Sequence, residues 1–197
     1  TGSEKMPGMI VLPRRDKKYP FFEHWGAHFA LQGFPTLCIE TYDKKSTIGE
    51  FISKLVAGYP GIKKTLLANP QVRQGELAIF GQGDSAEAAV YIGANDADVK
   101  VVCAAGMHKL DEEKAQSAKG KVFIVHSKDD NIVTMDEFNA NVHLLGLTEK
   151  DYLLLDLGGH YFNSQEAVIG GFFSIKLHGK LTPKYKQVTR KDLEVEI

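Results

Sequence analysis

The chain has 197 residues, of which 43% are hydrophobic and 25% charged, with a formal net charge of -1. Such a length suits one domain with a core of useful size, and the composition is that of an ordinary soluble globular protein. The near-neutral balance argues against nucleic acid as a partner, because phosphate binding usually shows as a basic excess, and no apolar run approaches the length that spans a bilayer.

There is no signal-peptide pattern at the start, though the chain begins at Thr1 rather than Met, which leaves room for an upstream region. The compartment stays open with the cytoplasm preferred, and the oligomeric state is not legible. The two cysteines, Cys38 and Cys103, each lie inside an apolar run, which reads as a pair of buried free thiols rather than a disulfide or metal site.

Six short apolar runs read as strands: Met9 to Leu12, Thr36 to Glu40, Leu77 to Phe80, Val99 to Cys103, Val122 to His126 and Tyr152 to Leu155. Most are continuous rather than alternating, the pattern of strands covered on both faces in a parallel sheet. Helical patterns lie between them. Phe22, Trp25, Gly26, Phe29 and Ala30 share one face, with Gly33 as the stop. Glu23, His24 and His28 on that helix read as a solvated face, not a metal site. Thr47 with Glu50 forms a capping box that opens a helix carrying Ile48, Phe51, Ile52, Leu55 and Val56 on one stripe. Gly58-Tyr59-Pro60-Gly61 is expected to break it, with a shorter helix following to about Leu67.

The next stretch, Glu76 to Ala89, contains a buried strand, a glycine turn at Gly81-Gln82-Gly83 and a small-residue helix. This is the layout of a nucleophile elbow, in which the residue two after the first glycine projects the attacking atom from a strained strand-to-helix turn. Here that residue is Gly83, which has no side chain. Asp84 and Ser85 read as caps of the helix that follows. A second capping box, Thr134 to Glu137, opens a helix with Met135, Phe138, Val142 and Leu145 inward, and the last helix is expected from near Asn163 to Gly179.

Strands alternating with helices imply a doubly wound α/β domain, a three-layer α/β/α sandwich over residues 1–180, followed by a tail or edge segment over 181–197. Right-handed crossovers predict six mainly parallel strands in the order second, first, third, fourth, fifth, sixth. Ligands bind such sheets beyond the carboxyl ends of the strands. The loops to watch therefore follow Leu12, Phe80, His126 and Leu155, and they carry Pro13-Arg14-Arg15-Asp16, the glycine elbow, Ser127-Lys128-Asp129-Asp130-Asn131-Ile132-Val133, and Asp156-Leu157-Gly158-Gly159-His160-Tyr161-Phe162.

With these residues in view, the chain resembles the α/β-hydrolase superfamily, in the compact build of its dienelactone-hydrolase-like and small esterase branches. The resemblance covers about residues 8 to 178. It rests on the elbow, on an acid loop with Ser127 in the usual glycine place, Asp130 at the acid and Ile132-Val133 as the apolar pair, and on Gly159-His160-Tyr161-Phe162 as the histidine loop. The segment Ala30-Leu31-Gln32-Gly33-Phe34-Pro35-Thr36-Leu37 is also similar to the family's chain after its first crossover. The resemblance implies Asp130 and His160 as triad members converging on Gly83, with backbone N–H groups of Asp84 and of Arg14 or Arg15 as an oxyanion or ligand-binding donor pair.

Three features depart from the family. There is no room ahead of Met9 for its opening antiparallel strands, Pro13-Arg14-Arg15-Asp16 replaces its usual His-Gly run, and Gly83 stands at the nucleophile position. The implied function is an ester or thioester hydrolase relative, hydrolytically impaired, that binds a small carbonyl- or carboxylate-bearing ligand or a protein partner. Arg14, Arg15, Lys17 and Lys18 favour an anionic ligand if their loop borders the pocket. The alternatives are an active acyl hydrolase using Ser85 as a displaced nucleophile, or an enzyme whose nucleophile was substituted at position 83. No cofactor, metal, nucleic acid or membrane is expected.

Overall fold

In the computed structural model, residues 5–15, 21–40 and 43–181 are described, with the side chains of 21–23 left aside. The proposed tail beyond Leu181, together with Asp16, Lys17 and Lys18, lies outside the described residues.

Six strands form one sheet: β1 (Met6–Val11), β2 (Thr36–Cys38), β3 (Val72–Gln82), β4 (Val99–Ala105), β5 (Val122–Ser127) and β6 (Tyr152–Leu155). Their order is β2-β1-β3-β4-β5-β6, with every neighbouring pair parallel. The expected order is therefore found. A parallel pair cannot be closed by a tight turn, so each link carries a crossover. The crossovers include α1 (Phe21–Leu31), α2 (Ile48–Leu67), α3 (Asp84–Asn95), the short α4 (Glu112–Ala115) running into a 3₁₀ turn, and α5 (Met135–Leu145). A final helix, α6 (Glu166–Lys180), follows β6.

Successive strand residues point to opposite faces, and each face meets its own helices. Ile10, Leu12, Leu77, Ile79, Val102, Ala104, Val122 and Ile124 pack with Phe51, Leu55, Val90 and Phe138 from α2, α3 and α5. Met9, Val11, Ala78, Phe80, Val101, Cys103, Phe123 and Val125 pack with Trp25 and Phe29 of α1 and with Ile169, Phe173 and Leu177 of α6. The apolar runs are continuous because both faces are covered. No helix among the described residues is long and apolar enough to cross a membrane.

Both capping boxes close as the sequence implies. Thr47 Oγ1 accepts from the Glu50 N–H at 3.2 Å while the Glu50 carboxylate accepts from the Thr47 N–H at 2.7 Å; Thr134 and Glu137 repeat the arrangement.

Three expectations need correction. Helix α2 is not broken at Gly58-Tyr59-Pro60-Gly61 but continues through Pro60 to Leu67. Gly58, Pro60 and Gly61 face solvent, where water can satisfy the carbonyl that proline leaves without a donor. The opposite face is anchored by Leu55, Tyr59 and Leu66, and the Tyr59 hydroxyl donates to Asp96 at 2.6 Å, so packing overrides local propensity. Helix α6 begins at Glu166 rather than near Asn163, because Phe162 and Ser164 take left-handed φ values of 55° and 61°, which no helix accommodates. Finally, Cys103 is buried but Cys38 is only half-buried; burial raises the pKa of both thiols, leaving little thiolate for nucleophilic work.

Candidate active site

Strand β3 ends at Gln82, and the chain turns at Gly83 into α3. The turn is tight at two glycines for different reasons. A Cβ on Gly81 would lie 2.3 Å from the Ser85 carbonyl oxygen, so only glycine lets the helix start fold back onto the strand. Gly83 has φ 60° and ψ -129°, in a region that residues with a side chain enter only under strain. The result is a sharp strand-to-helix turn with glycine, the residue that adopts this backbone most readily, at its tip.

Asp130 and His160 converge beside this turn. The His160 ring accepts nothing from Asp130: Nδ1 lies 2.9 Å from Asp130 Oδ2, and since an ionised carboxylate only accepts, Nδ1 carries the proton. Nε2 then faces the elbow, 3.3 Å from where a Cβ on Gly83 would stand. The Asp130 side chain is 0% exposed and that of His160 7%. Burial works against ionisation of Asp130, but hydrogen bonds from His160, Val133 and Ile132 outweigh it and hold its pKa below the usual carboxylate range. The two backbone donors reach Oδ1 at 2.8 Å from Ile132 and 2.9 Å from Val133.

The histidine loop is braced from both sides. Asp129 Oδ1 accepts from the Gly159 N–H at 2.7 Å and Oδ2 from the Gly158 N–H at 3.2 Å, while the Ser127 hydroxyl donates to Asp129. The Gln82 amide reaches the His160 carbonyl at 3.3 Å. Consecutive aspartates thus divide the work, Asp129 fixing the loop backbone and Asp130 the ring.

The structure separates Ser85 from this arrangement. Its side chain is 0% exposed, and its Oγ accepts from the Gln82 N–H and donates to the Gln82 carbonyl, each at 3.0 Å. The hydroxyl is committed to the backbone at the end of β3. Neither Asp84 nor Ser85 caps α3, whose N-cap is Gly83 without a side-chain bond. The Asp84 carboxylate instead receives Arg15 Nε at 2.7 Å, so the Arg15 charge is already met. The Asp84 N–H is the first of α3 and has no acceptor within the helix. Arg14 is 8% exposed and its guanidinium lies 4.5 Å from the centre of the Tyr161 ring.

These residues border a cavity of 180 Å³ lined by Arg14, Arg15, Ile48, Gln82, Gly83, Asp84, His108, Ile132, His160 and Tyr161. That volume is equivalent to about six water molecules. The sequence reading did not name His108, and it named Ile48, Gln82 and Tyr161 only as parts of the α2 stripe, the glycine turn and the histidine loop. His108 is held by Glu137, with Nδ1 3.3 Å from Oε1, and its ring centre is 6.4 Å from that of His160. It follows β4, and the rule that ligands gather at the carboxyl ends of parallel strands would have found it had the β4 loop been included.

Among the described residues, no group of three or more His, Cys, Asp or Glu could hold a metal ion. On α1, His28 packs against Gly170 and lies within hydrogen-bond reach of Gln32; burial lowers its pKa, which a hydrogen bond to the Gly170 backbone only partly offsets.

The chain matches no family model and no curated protein sequence. Its fold is similar to that of solved α/β hydrolases. A thermophilic esterase from Thermogutta terrifontis, with propionate bound, superposes with a TM-score of 0.70 at 10% identity over 94% of this chain and 88% of that one. An esterase from Butyrivibrio proteoclasticus gives 0.67 at 14% identity over 89% and 88%. A candidate dienelactone hydrolase from Klebsiella pneumoniae gives 0.70 at 12% identity over 90% and 87%.

Proposed function

We propose that this chain is an α/β-hydrolase relative that binds a small carbonyl- or carboxylate-bearing ligand between Arg14, the elbow and His160, and that is impaired as an ester hydrolase. The observation that carries this reading is the His160 ring, buffered on Nδ1 by Asp130 and presenting Nε2 to a residue without a side chain. A triad needs an activated hydroxyl or thiol for covalent attack; here the base and its orienting carboxylate are present and the attacking atom is not. The propionate held by the Thermogutta esterase supports a small carboxylate as occupant, as does the arginine in the cavity wall. In this reading residues 1–180 act as one unit and 181–197 as a tail.

A second reading, an enzyme whose nucleophile was replaced at position 83, is favoured by one observation: Gly83, with φ 60° and ψ -129°, sits at the tip of the kind of strand-to-helix turn that an elbow nucleophile occupies. One experiment addresses both. The parent should hydrolyse p-nitrophenyl acetate barely above buffer, whereas Gly83→Ser should gain at least about 100-fold, roughly 2.7 kcal/mol of barrier, if Asp130, His160 and the donor pair are arranged for acyl transfer. Calorimetry with propionate and a neutral isostere tests the binding arm. A silent Gly83→Ser combined with no preference for the carboxylate would defeat the proposal.

A further inference from the structure

Five residues constrain what can happen above Gly83. His160 Nε2 would stand 3.3 Å from a Cβ at this position, so the space that a serine side chain would fill lies within hydrogen-bond reach of the ring. Asp130 fixes the tautomer that leaves Nε2 as the basic nitrogen. Asp84, whose N–H is the first of α3, lines the same cavity, as do Arg14 and Tyr161. A base, a backbone donor and room for one or two heavy atoms therefore meet at a point where the protein supplies no nucleophile.

We propose that the site accepts a small protic nucleophile from solution in place of a side chain, and that His160 with Asp130 activates it for direct acyl transfer without an acyl-enzyme. This inference rests on the proposed acyl-binding reading of the cavity. The nucleophile's oxygen or nitrogen forms a bond to the carbonyl carbon of an activated ester as its proton passes to His160 Nε2. The carbonyl electron pair moves onto oxygen, facing the Asp84 N–H. Collapse of the tetrahedral adduct restores the carbonyl and breaks the bond to the leaving oxygen, which takes the proton back from His160. The products are an alcohol or phenol and a new acyl compound: a methyl ester from methanol, a hydroxamate from hydroxylamine. The nucleophile must be small, because the space it takes is the one a serine side chain would fill, with His160 Nε2 3.3 Å from where a Cβ at position 83 would stand.

The test uses the full chain with p-nitrophenyl acetate and increasing methanol, hydroxylamine or 2-propanol, following p-nitrophenolate by absorbance and the acyl product by mass spectrometry. The expected result is a rise of about tenfold or more over the sum of the protein without added nucleophile and the same nucleophile without protein, saturating in hydroxylamine and methanol and absent with 2-propanol. His160→Gln should abolish the rise, and His143→Gln, on the exposed face of α5, should leave it intact. Intact-mass analysis during turnover should show no acetylated protein. A rise that stays linear in nucleophile, that survives His160→Gln, or that is accompanied by acetylated chain would overturn the inference. If Gly83→Ser is active while the parent shows no rescue, only the external-nucleophile inference falls; if neither responds, it falls together with the acyl-binding reading.

Discussion

Removing the Asp130 carboxylate separates its structural task from its electrostatic one. Its side chain is fully buried and accepts from His160, Ile132 and Val133 at 2.8–2.9 Å. In Asp130→Ala the Ile132 N–H can turn to water, since Ile132 is 45% exposed. The Val133 N–H and the His160 Nδ1–H lose their partner where little solvent reaches them. Each orphaned donor costs about 1–3 kcal/mol, and breaking a buried pair costs about 3–5 kcal/mol; for a chain of this size that is a melting temperature lower by about 10–15 °C. Asp130→Asn keeps an oxygen for the backbone donors and turns an amide N–H toward the ring, so it should cost only about 1 kcal/mol. That amide forces Nδ1 to become an acceptor, moving the proton to Nε2 and removing the base that faces Gly83.

Thermal melts followed by circular dichroism measure the first effect, and ¹⁵N-edited NMR of the histidine ring measures the second. The pH dependence has a defined sign. The folded pKa of Asp130 is depressed, so its contribution is fully present above the unfolded value of about 3.9 and is lost as pH falls through the folded pKa. The stability gap between parent and Asp130→Asn should therefore be constant near neutrality and narrow below about pH 4. An Asp130→Ala variant as stable as the parent, or an Asp130→Asn ring still protonated on Nδ1, would refute the reasoning.

Ser85→Ala should lower stability by about 1–2 kcal/mol through the two lost bonds to Gln82, with no change in carboxylate binding by calorimetry. Gly81→Ala drives a Cβ to 2.3 Å from the Ser85 carbonyl oxygen and should leave little folded protein in a solubility and circular dichroism comparison. Pro60→Ala restores a donor inside α2 and should raise the melting temperature by a few degrees, about 1 kcal/mol, measured by calorimetry. Gly83→Ser should melt lower than the parent by about 3–9 °C, from roughly 1–3 kcal/mol of backbone strain.

Strand positions and sheet order were legible because each strand is covered on both faces and each link is a crossover, so unbroken runs such as Val99 to Cys103 leave few alternatives. The placement of Gly83, Asp130 and His160 was legible for a related reason: all three follow the carboxyl ends of strands in one parallel sheet. What escaped was decided by contacts between distant residues. Pro60 is tolerated because Tyr59 finds Asp96 across α2 and α3, which no local pattern records. Ser85 looked like a displaced nucleophile by spacing, but its rotamer is set by the backbone of Gln82. Asp84 looked like a cap until Arg15, far away in sequence, claimed its carboxylate.

The all-parallel order of the sheet also bears on how the cavity comes into being during folding. Its walls arrive from β1, β3, β4, β5 and β6, and Arg14 and His160 stand at opposite ends of the sequence that frames the sheet. Parallel pairing postpones contacts until long loops have closed, which makes such topologies slow and their late contacts interdependent. No half of the chain can therefore hold a ligand while the remainder is still collapsing, and competence to bind should appear in refolding no earlier than the pairing of β5 with β6, the strand that the His160 loop follows.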